Sequence, residues 1–527
     1  MYLSSQRKRQ HPPSVPASNV PSTKPITVTE KGVLKFLQDL KPHKAAGSDQ
    51  ISTILLKLAG VELSPGLTTF FQLSIDEGKI PSDWKSAIVS PVFKKGNRST
   101  PSNYRPISLT SVTCKLIEHI IFSNIISHFD SNNILTDFQH GFRKKRSCDT
   151  QLILTINDLA KGIDKNQQID AILLDFSKAF DKVSHTRLLQ KLQHYGVRGS
   201  LHSWIKDFLQ CRTQQVVLDG ASSDTSPVTS GVPQGSVLGP LLFLAYINDL
   251  PSRVKSTVRL FADDCLMYRT IKNHDDAWQL QEDIDSLQQW ESEWLMSFNP
   301  DKCEVIHITN KRNPLKSTYS IHDTPLQPTD SAKYLGATIT PNLSWKTHID
   351  NNTKKANSTL SFLRRNISSC PPSVKETAYK TYVRPIVEYA SSVWSPHAET
   401  HINQLEMVQR RAARFVKKDY QRKSSVTTML QALKWDTLQH RRNVARVTML
   451  YKTINGLVDI IPTPPLRQSR SKRFHTQHFT QISCSKSAYQ HSFFPAAVVL
   501  WNHLSQHAVS QPTIEGFKAA VAGIHTL

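Results

Sequence analysis

Phe261-Ala262-Asp263-Asp264 is the stretch that most constrains this chain. Val258 to Ala262 and Cys265 to Tyr268 read as two strands, and the aspartates fall at the turn joining them. Tight hairpins favour Asn-Gly or Asp-Gly there, because their central residues need positive φ. Adjacent carboxylates without glycine bring backbone strain and mutual repulsion, and a divalent cation relieves the repulsion. A second acidic cluster lies upstream, in the run DAILLDFSKAFD from Asp170 to Asp181. There Asp175 closes an apolar stretch with the pattern of a buried strand. If the two strands are neighbours, Asp175, Asp263 and Asp264 converge on one point. Three converging carboxylates suit a pair of Mg²⁺ ions engaged in phosphoryl transfer.

Taken singly, each piece has a plain alternative. A pair of aspartates on a turn is ordinarily a solvated loop tip, and aspartate commonly ends strands because it caps turns. Order and surroundings add weight. Between the clusters lies Ser230–Pro240 (SGVPQGSVLGP), dense in glycine and proline, leading into the apolar run Leu241–Ile247. Glycine there lets backbone approach a ligand, since no Cβ obstructs it. Alone, the loop reads as a helix-entry turn.

Asp175–Asp181 (DFSKAFD), Gly231–Ser236 (GVPQGS) and Phe261–Asp264 (FADD) resemble, in order, the A, B and C motifs of reverse transcriptases. The neighbouring text is similar to the non-LTR (LINE-type) retrotransposon branch, in particular to Jockey-like elements. Tyr104–Leu109 (YRPISL) and Gln139–Arg143 (QHGFR) resemble that branch's fingers motifs, and Lys44–Asp49 (KAAGSD) its N-terminal motif. Ser297–Lys302 (SFNPDK) resembles motif D, and Lys333–Gly336 (KYLG) the primer grip. The resemblance runs from about Thr29 to the end, where Leu500–Leu504 (LWNHL) is similar to the tail of such polyproteins.

The resemblance implies an α+β right-hand polymerase of fingers, palm and thumb, followed by a mostly helical C-terminal region. It implies an RNA-directed DNA polymerase that uses an RNA template, a DNA primer and dNTPs. Asp175 and Asp263 hold two Mg²⁺ ions, with Mn²⁺ able to substitute, and Asp264 is a weaker ligand that shapes the hairpin. Phe176 offers its backbone carbonyl to a metal. Phe180, five residues after Asp175, stands where the family has a steric gate against a 2′-OH; plain core packing is the alternative. Gln234 contacts the nascent pair or template strand, and Gly235 permits backbone approach. Arg105 and either Lys94 or Lys95 grip the triphosphate, arginine as a fork and lysine as a point charge. Lys302 protonates the leaving pyrophosphate or is simply a surface lysine. An inactive nucleic-acid-binding relic and an RNA-dependent RNA polymerase stay open as alternatives.

Composition agrees with a polyanionic partner. Among 527 residues, 65 Lys and Arg against 42 Asp and Glu give a net charge of +23, which points to nucleic acid before a membrane surface. The excess is clustered, at Lys94-Lys95, Arg143–Arg146, Arg410-Arg411, Lys417-Lys418 and Arg441-Arg442. The seven cysteines are scattered with no CxxC pair, so they predict no zinc knuckle and no disulfide framework. Reduced thiols suit an intracellular setting, nucleus or cytoplasm. No apolar run reaches membrane-spanning length.

The expected organisation begins with a disordered basic tail over residues 1–28, in which Arg7-Lys8-Arg9 has the composition of a weak nuclear address. Fingers and an N-terminal extension follow over 29–150, and a palm over 151–345. A helical thumb covers 346–460, and a linker with a C-terminal module 461–527. Apolar spacing predicts helices around Leu152–Ile163, around Leu188–Tyr195 with a stop at Gly196, and from Asp275 to Trp294. In His401–Lys418 the stripe Leu405, Val408, Ala412 and Phe415 leaves Arg410, Arg411, Arg414, Lys417 and Lys418 around the rest. That helix reads either as a solvated basic face or as a thumb helix that tracks a duplex by neutralising phosphates. The segment before Thr29 is too short for the endonuclease that autonomous elements carry, so an N-terminally truncated element product, or a gene model covering only the polymerase half, is expected.

Overall fold

The structure is a computed structural model that describes residue 13 and residues 18–462, 465–469 and 475–523. Arg7-Lys8-Arg9 and most of the expected tail lie outside the described residues. In chain order the strands that matter are β1 (Ser86–Phe93), β2 (Tyr104–Leu109), β3 (Gln168–Asp175), β4 (Arg212–Leu218), β5 (Ala221–Ser222), β6 (Ser226–Val228), β7 (Thr257–Phe261), β8 (Asp264–Ile271) and β9 (Glu304–Ile308). The chain forms two compact units: residues 1–142, 175–255 and 283–299, and residues 143–174, 256–282 and 300–527.

The first unit holds a sheet in the order β2-β1-β4-β5, with β6 also on β4. β1 and β2 form an antiparallel hairpin from Ile88 opposite Leu109 to Phe93 opposite Tyr104, while β4 runs parallel to β1. The same unit holds the helix Val112–Ser131, started by the Ser111 hydroxyl and burying Leu116, Ile117, Ile121, Ile125 and Phe129. The helix Leu238–Ile247 is apolar all round and buried on every side, as a core helix must be. Its first amides need an acceptor that water cannot supply. Buried Glu118 provides it, accepting from Val237 N at 2.7 Å and Leu238 N at 3.0 Å. Burial pushes the Glu118 carboxyl above its ordinary pKa, against the pull of those two amides. Residues 18–28 are not a free tail. Ile26 and Val28 are buried, and the Gln72 side chain bonds Val28 N and Ile26 O at 2.9 and 3.1 Å.

The second unit is built on a sheet in which β3 is central: a short strand Gln327–Pro328, then β9, β3, β8 and β7. β9 runs antiparallel to β3, and β7 antiparallel to β8. A central strand covered on both faces reads as a continuous apolar run, and Ile169, Ala171, Ile172 and Leu174 of β3 are buried. Asp170 and Gln168 are the buried polar exceptions; Asp170 accepts from Tyr319 Oη at 2.7 Å and Gln168 Nε2 at 2.8 Å, and His307 Nδ1 lies 2.9 Å from its carboxylate. The helix Cys148–Asp164, begun by a Ser147–Thr150 capping box, packs Leu152, Ile156, Leu159 and Ile163 inward, on the stripe the spacing predicts. From that helix Asp158 reaches the hairpin, accepting from Arg259 Nη2 at 2.7 Å and Tyr268 Oη at 2.6 Å.

After Trp345 helices dominate, as expected. One core joins Leu360, Tyr379, Trp394, Leu405, Val408, Leu450, Trp501 and Phe517. The residues beyond 461, expected as a separate module, therefore share this core where they are described. No described helix is long and apolar enough to cross a membrane. The basic helix runs Glu399–Lys417 and buries the expected Leu405, Val408, Ala412 and Phe415. Its arginines divide. Arg414 turns back to the carbonyls of Asp419, Gln421 and Ser424, and Arg411 bonds Asn357 Oδ1 at 3.0 Å. Arg410 is exposed. Of the basic residues expected around this helix, Arg411 and Arg414 are thus engaged within the protein, because a C-terminal guanidinium is well placed to satisfy open carbonyls.

Asp158→Ala should destabilise the protein by about 2 kcal/mol, between an exposed and a fully buried pair, since it strands a partly buried guanidinium and a phenol. Chemical denaturation of the variant and of Asp158→Asn measures this. A loss below about 0.5 kcal/mol would mean that solvent replaces the network.

Candidate active site

The β7–β8 hairpin is closed by Ala262 and Asp263 alone, since Phe261 and Asp264 are the last pair across it. The turn is thus offset by one residue from the expected pair of aspartates: Asp264 already opens β8. Ala262 takes the first turn position with φ 54°, where hairpins prefer glycine and where alanine costs about 1 kcal/mol. Buried Val258, Leu260, Cys265, Leu266 and Met267 beneath the turn hold it there. Ala262 is itself buried, whereas Asp263 and Asp264 are exposed. β8 is the sheet neighbour of β3, and β3 ends at Asp175.

The donor set is carboxylate oxygen, with neither thiolate nor imidazole in the hairpin, which fits a hard cation of the Mg²⁺ or Mn²⁺ kind. Among the described residues no group of three or more His, Cys, Asp or Glu side chains is arranged to hold a metal ion. The chemistry fits, but no three-ligand cage is preformed.

In the first unit, the segment after Asp175 is fastened from its backbone. The Asp175 carbonyl accepts from Asn299 N and the Ser177 amide donates to Ser297 O, both at 2.8 Å. Phe176 is buried, its ring stacked on Phe298 at 4.4 Å; its side chain is a packing element. Lys178, at φ 55°, then turns the chain into the short helix Ala179–Asp181. Phe180 stacks on Phe243 at 4.3 Å and meets Phe142 edge-on at 6.4 Å, yet stays half-exposed. The two readings of Phe180 are therefore not exclusive. One face is packing, and packing is what stiffens the ring.

The glycine-rich loop lies directly on this turn. Val232 N donates to Phe180 O at 2.9 Å and Gly231 N to Val183 O at 2.8 Å. Ser230 Oγ donates to Asp181 O at 2.9 Å, and the Gln234 amide donates to Asp181 Oδ1 at 2.9 Å. Burial raises the Asp181 carboxyl above its ordinary pKa, opposed by the Gln234 hydrogen bond and by Lys178. On the other side Ser108 N of β2 donates to Gln234 O at 2.7 Å. Gly235 has φ +127°, and a Cβ there would stand 2.4 Å from Ser108 O; only glycine fits.

Arg105 lies in β2 opposite Val92, and Lys94 N donates to Asn103 O at 2.9 Å where the connecting loop leaves the hairpin. Arg105, Lys94 and Lys95 are all exposed, and nothing in the backbone singles out one lysine. Lys302 belongs to the second unit, exposed at the end of the short helix Pro300–Lys302. Sequence reasoning missed Asp181 and Glu118. Asp181 was visible as the last letter of the first motif, but its partner Gln234 is 53 residues away. Glu118 sits in an ordinary apolar helix with no local signal.

Residues 92–339 match the family described as reverse transcriptase (RNA-dependent DNA polymerase). The chain is 29% identical over 402 residues to the RNA-directed DNA polymerase from mobile element jockey of Drosophila melanogaster, covering 73% of this chain and 43% of that protein. It is 29% identical over 384 residues to the probable RNA-directed DNA polymerase from transposon X-element, covering 71% and 42%, in the same organism. Over 475 residues it is 28% identical to that of transposon BS, also of Drosophila melanogaster, covering 86% and 51%. Residues 92–339 thus carry a reverse transcriptase domain, and the chain is similar to RNA-directed DNA polymerases of non-LTR retrotransposons, as the ordered motifs imply. It spans about half the length of the curated relatives it matches.

Gly235→Ala should lower stability by at least about 2 kcal/mol, combining a disfavoured φ with overpacking against Ser108. Denaturation of the variant reads this directly. Wild-type stability would show that β2 and the loop separate freely.

Proposed function

We propose that this chain synthesises DNA on an RNA template, with Asp175, Asp263 and Asp264 as the carboxylates that bind divalent metal. The observation that carries the proposal is the sheet order. The strand that ends in Asp175 lies beside the strand that begins at Asp264, across a hairpin held in a strained turn. Mg²⁺, or Mn²⁺ in its place, supplies acidity to the primer 3′-OH and neutralises the triphosphate and departing pyrophosphate. The chain's own residues do the rest. Arg105, with Lys94 or Lys95, receives the triphosphate. Phe180, braced on Phe243, lies under the sugar and excludes a 2′-OH. Gln234, oriented by Asp181, faces the nascent pair, and Gly235 keeps its loop close to β2. Lys302 is the candidate acid for pyrophosphate.

In this reading residues 29–150 act as fingers, 151–345 as palm and 346–460 as thumb, with RNA template, DNA primer and dNTPs as partners. The match over residues 92–339 and the net charge of +23 support it.

Asp263→Asn should reduce primer extension on an RNA template by at least about a hundredfold, as loss of a group that acts mainly in the transition state does. RNA binding measured alongside should stay at the wild-type level. Normal extension by the variant would remove Asp263 from the metal site. Sugar choice gives a separate readout. Phe180→Val should raise ribonucleotide incorporation relative to deoxynucleotide, measured as the ratio of kcat/KM values. An unchanged ratio in an active variant would leave the ring with packing alone.

A further inference from the structure

The second unit contains a cavity of about 380 Å³, lined by Asn310, by the segment just after the Lys333–Gly336 motif, and by residues beyond 395. That volume suits a ligand of nucleotide size, at the small end of the range for ligand pockets. Its lining holds no aspartate or glutamate. It offers instead the nitrogens of His397, His401, His491 and Lys486, the amides of Asn310 and Asn342, and the indole of Trp345. His397 and His491 lie ring on ring, with centroids 3.8 Å apart and planes 8° from parallel. Two imidazoles so close cannot both be charged unless an anion stands beside them. Burial lowers both pKa values, assisted at His397 by His401 and at His491 by His397 and Arg446.

Two buried arginines stand behind the lining without forming part of it. Arg446 is nearly fully buried and bonds only carbonyls, Ser392 O at 3.4 Å and His491 O at 3.3 Å. Its neighbour Arg442 is also buried, and its guanidinium nitrogens have no hydrogen-bond partner among the described residues. Burial lowers the pKa of each to about 10. Two long helices, Lys346–Asn366 and Glu399–Lys417, begin at Trp345 and Ala398, which line the cavity and provide no side-chain cap. Their positive dipole ends favour an anion, although Ser344 Oγ already accepts from Lys346 N at 3.3 Å and Glu399 stands in the first turn of the second helix.

We propose that this cavity binds the phosphate of one nucleotide of a single-stranded nucleic acid, with Trp345 as the surface for its base. The Lys486 ammonium, imidazole and amide nitrogens of the lining are donors that phosphate takes. An indole beside them is the usual platform for an unpaired base. Such a site lets this region hold a strand by a single nucleotide, a mode of attachment distinct from the polymerase carboxylates.

The test uses the full chain in EDTA, which silences metal-dependent nucleotide binding. AMP, inorganic phosphate and a labelled single-stranded RNA are titrated against wild type, Lys486→Glu, His397→Glu, Trp345→Leu and Asp263→Asn. Lys486 and His397 are exposed, so their reversal leaves the core intact, and circular dichroism verifies it. Lys486→Glu and His397→Glu should each weaken AMP and RNA by about tenfold and flatten the RNA salt slope by up to about 0.7 per lost phosphate contact. Trp345→Leu should weaken AMP about tenfold while leaving inorganic phosphate unchanged. Asp263→Asn should bind as wild type does, which separates this site from the polymerase reading. Unchanged affinities in the two reversals overturn the proposal. Phosphate bound with AMP and RNA ignored overturns it as well, since the site would then take a free ion and no nucleotide.

Discussion

The burial of β3 at the centre of its sheet is the constraint on which the candidate chemistry depends. A strand covered on both faces has one register in which its apolar residues are all inside, because a slip by one residue turns every side chain over. Asp170, buried yet bonded to Tyr319 and Gln168, makes that register more costly to leave. With register fixed, Asp175 has one place at the strand's end. The neighbouring β8 has its start fixed by the same sheet, and its hairpin can then carry an alanine at positive φ. The strain at Ala262 persists because the apolar residues beneath over-determine the turn.

In the first unit the corresponding role falls to hydrogen bonds. The turn that presents Phe180 and the loop that presents Gln234 share Asp181, whose carboxylate and carbonyl each accept from that loop. Loop and turn therefore move as one piece, and the stacked Phe243 ring anchors them to a helix buried on all sides. That helix stays buried because Glu118 meets its first amides. Sugar discrimination and pairing contact, on the proposed reading, are thus two outputs of one hydrogen-bonded assembly.

The basic character of the chain is not a uniform coat. On the helix Glu399–Lys417, Arg414 is spent on carbonyls and Arg411 on an asparagine. Around the cavity Lys486 and three histidines instead gather with no carboxylate in the lining. Composition alone cannot distinguish a guanidinium that closes a loop from one that waits for phosphate. Only its neighbours do.

The sequence by itself determined the two acidic strands, the glycine loop between them, the helical stretch after Trp345 and the family. Each of these is a local pattern: apolar period, turn chemistry or an ordered set of short motifs. It misplaced the hairpin turn by one residue, because Asp-Asp looked like the turn pair while the pairing of Phe261 with Asp264 leaves Ala262 to bend. It also left residues 18–28 unpacked, since the Gln72 side chain that holds them lies on another helix. Tertiary structure alone decided that Gln234 leans on Asp181, that Glu118 starts a distant helix, and that His397 stacks on His491. These are contacts between residues far apart in the chain, between which one sequence carries no periodicity. Their partners are set by which elements the burial of apolar faces forces together.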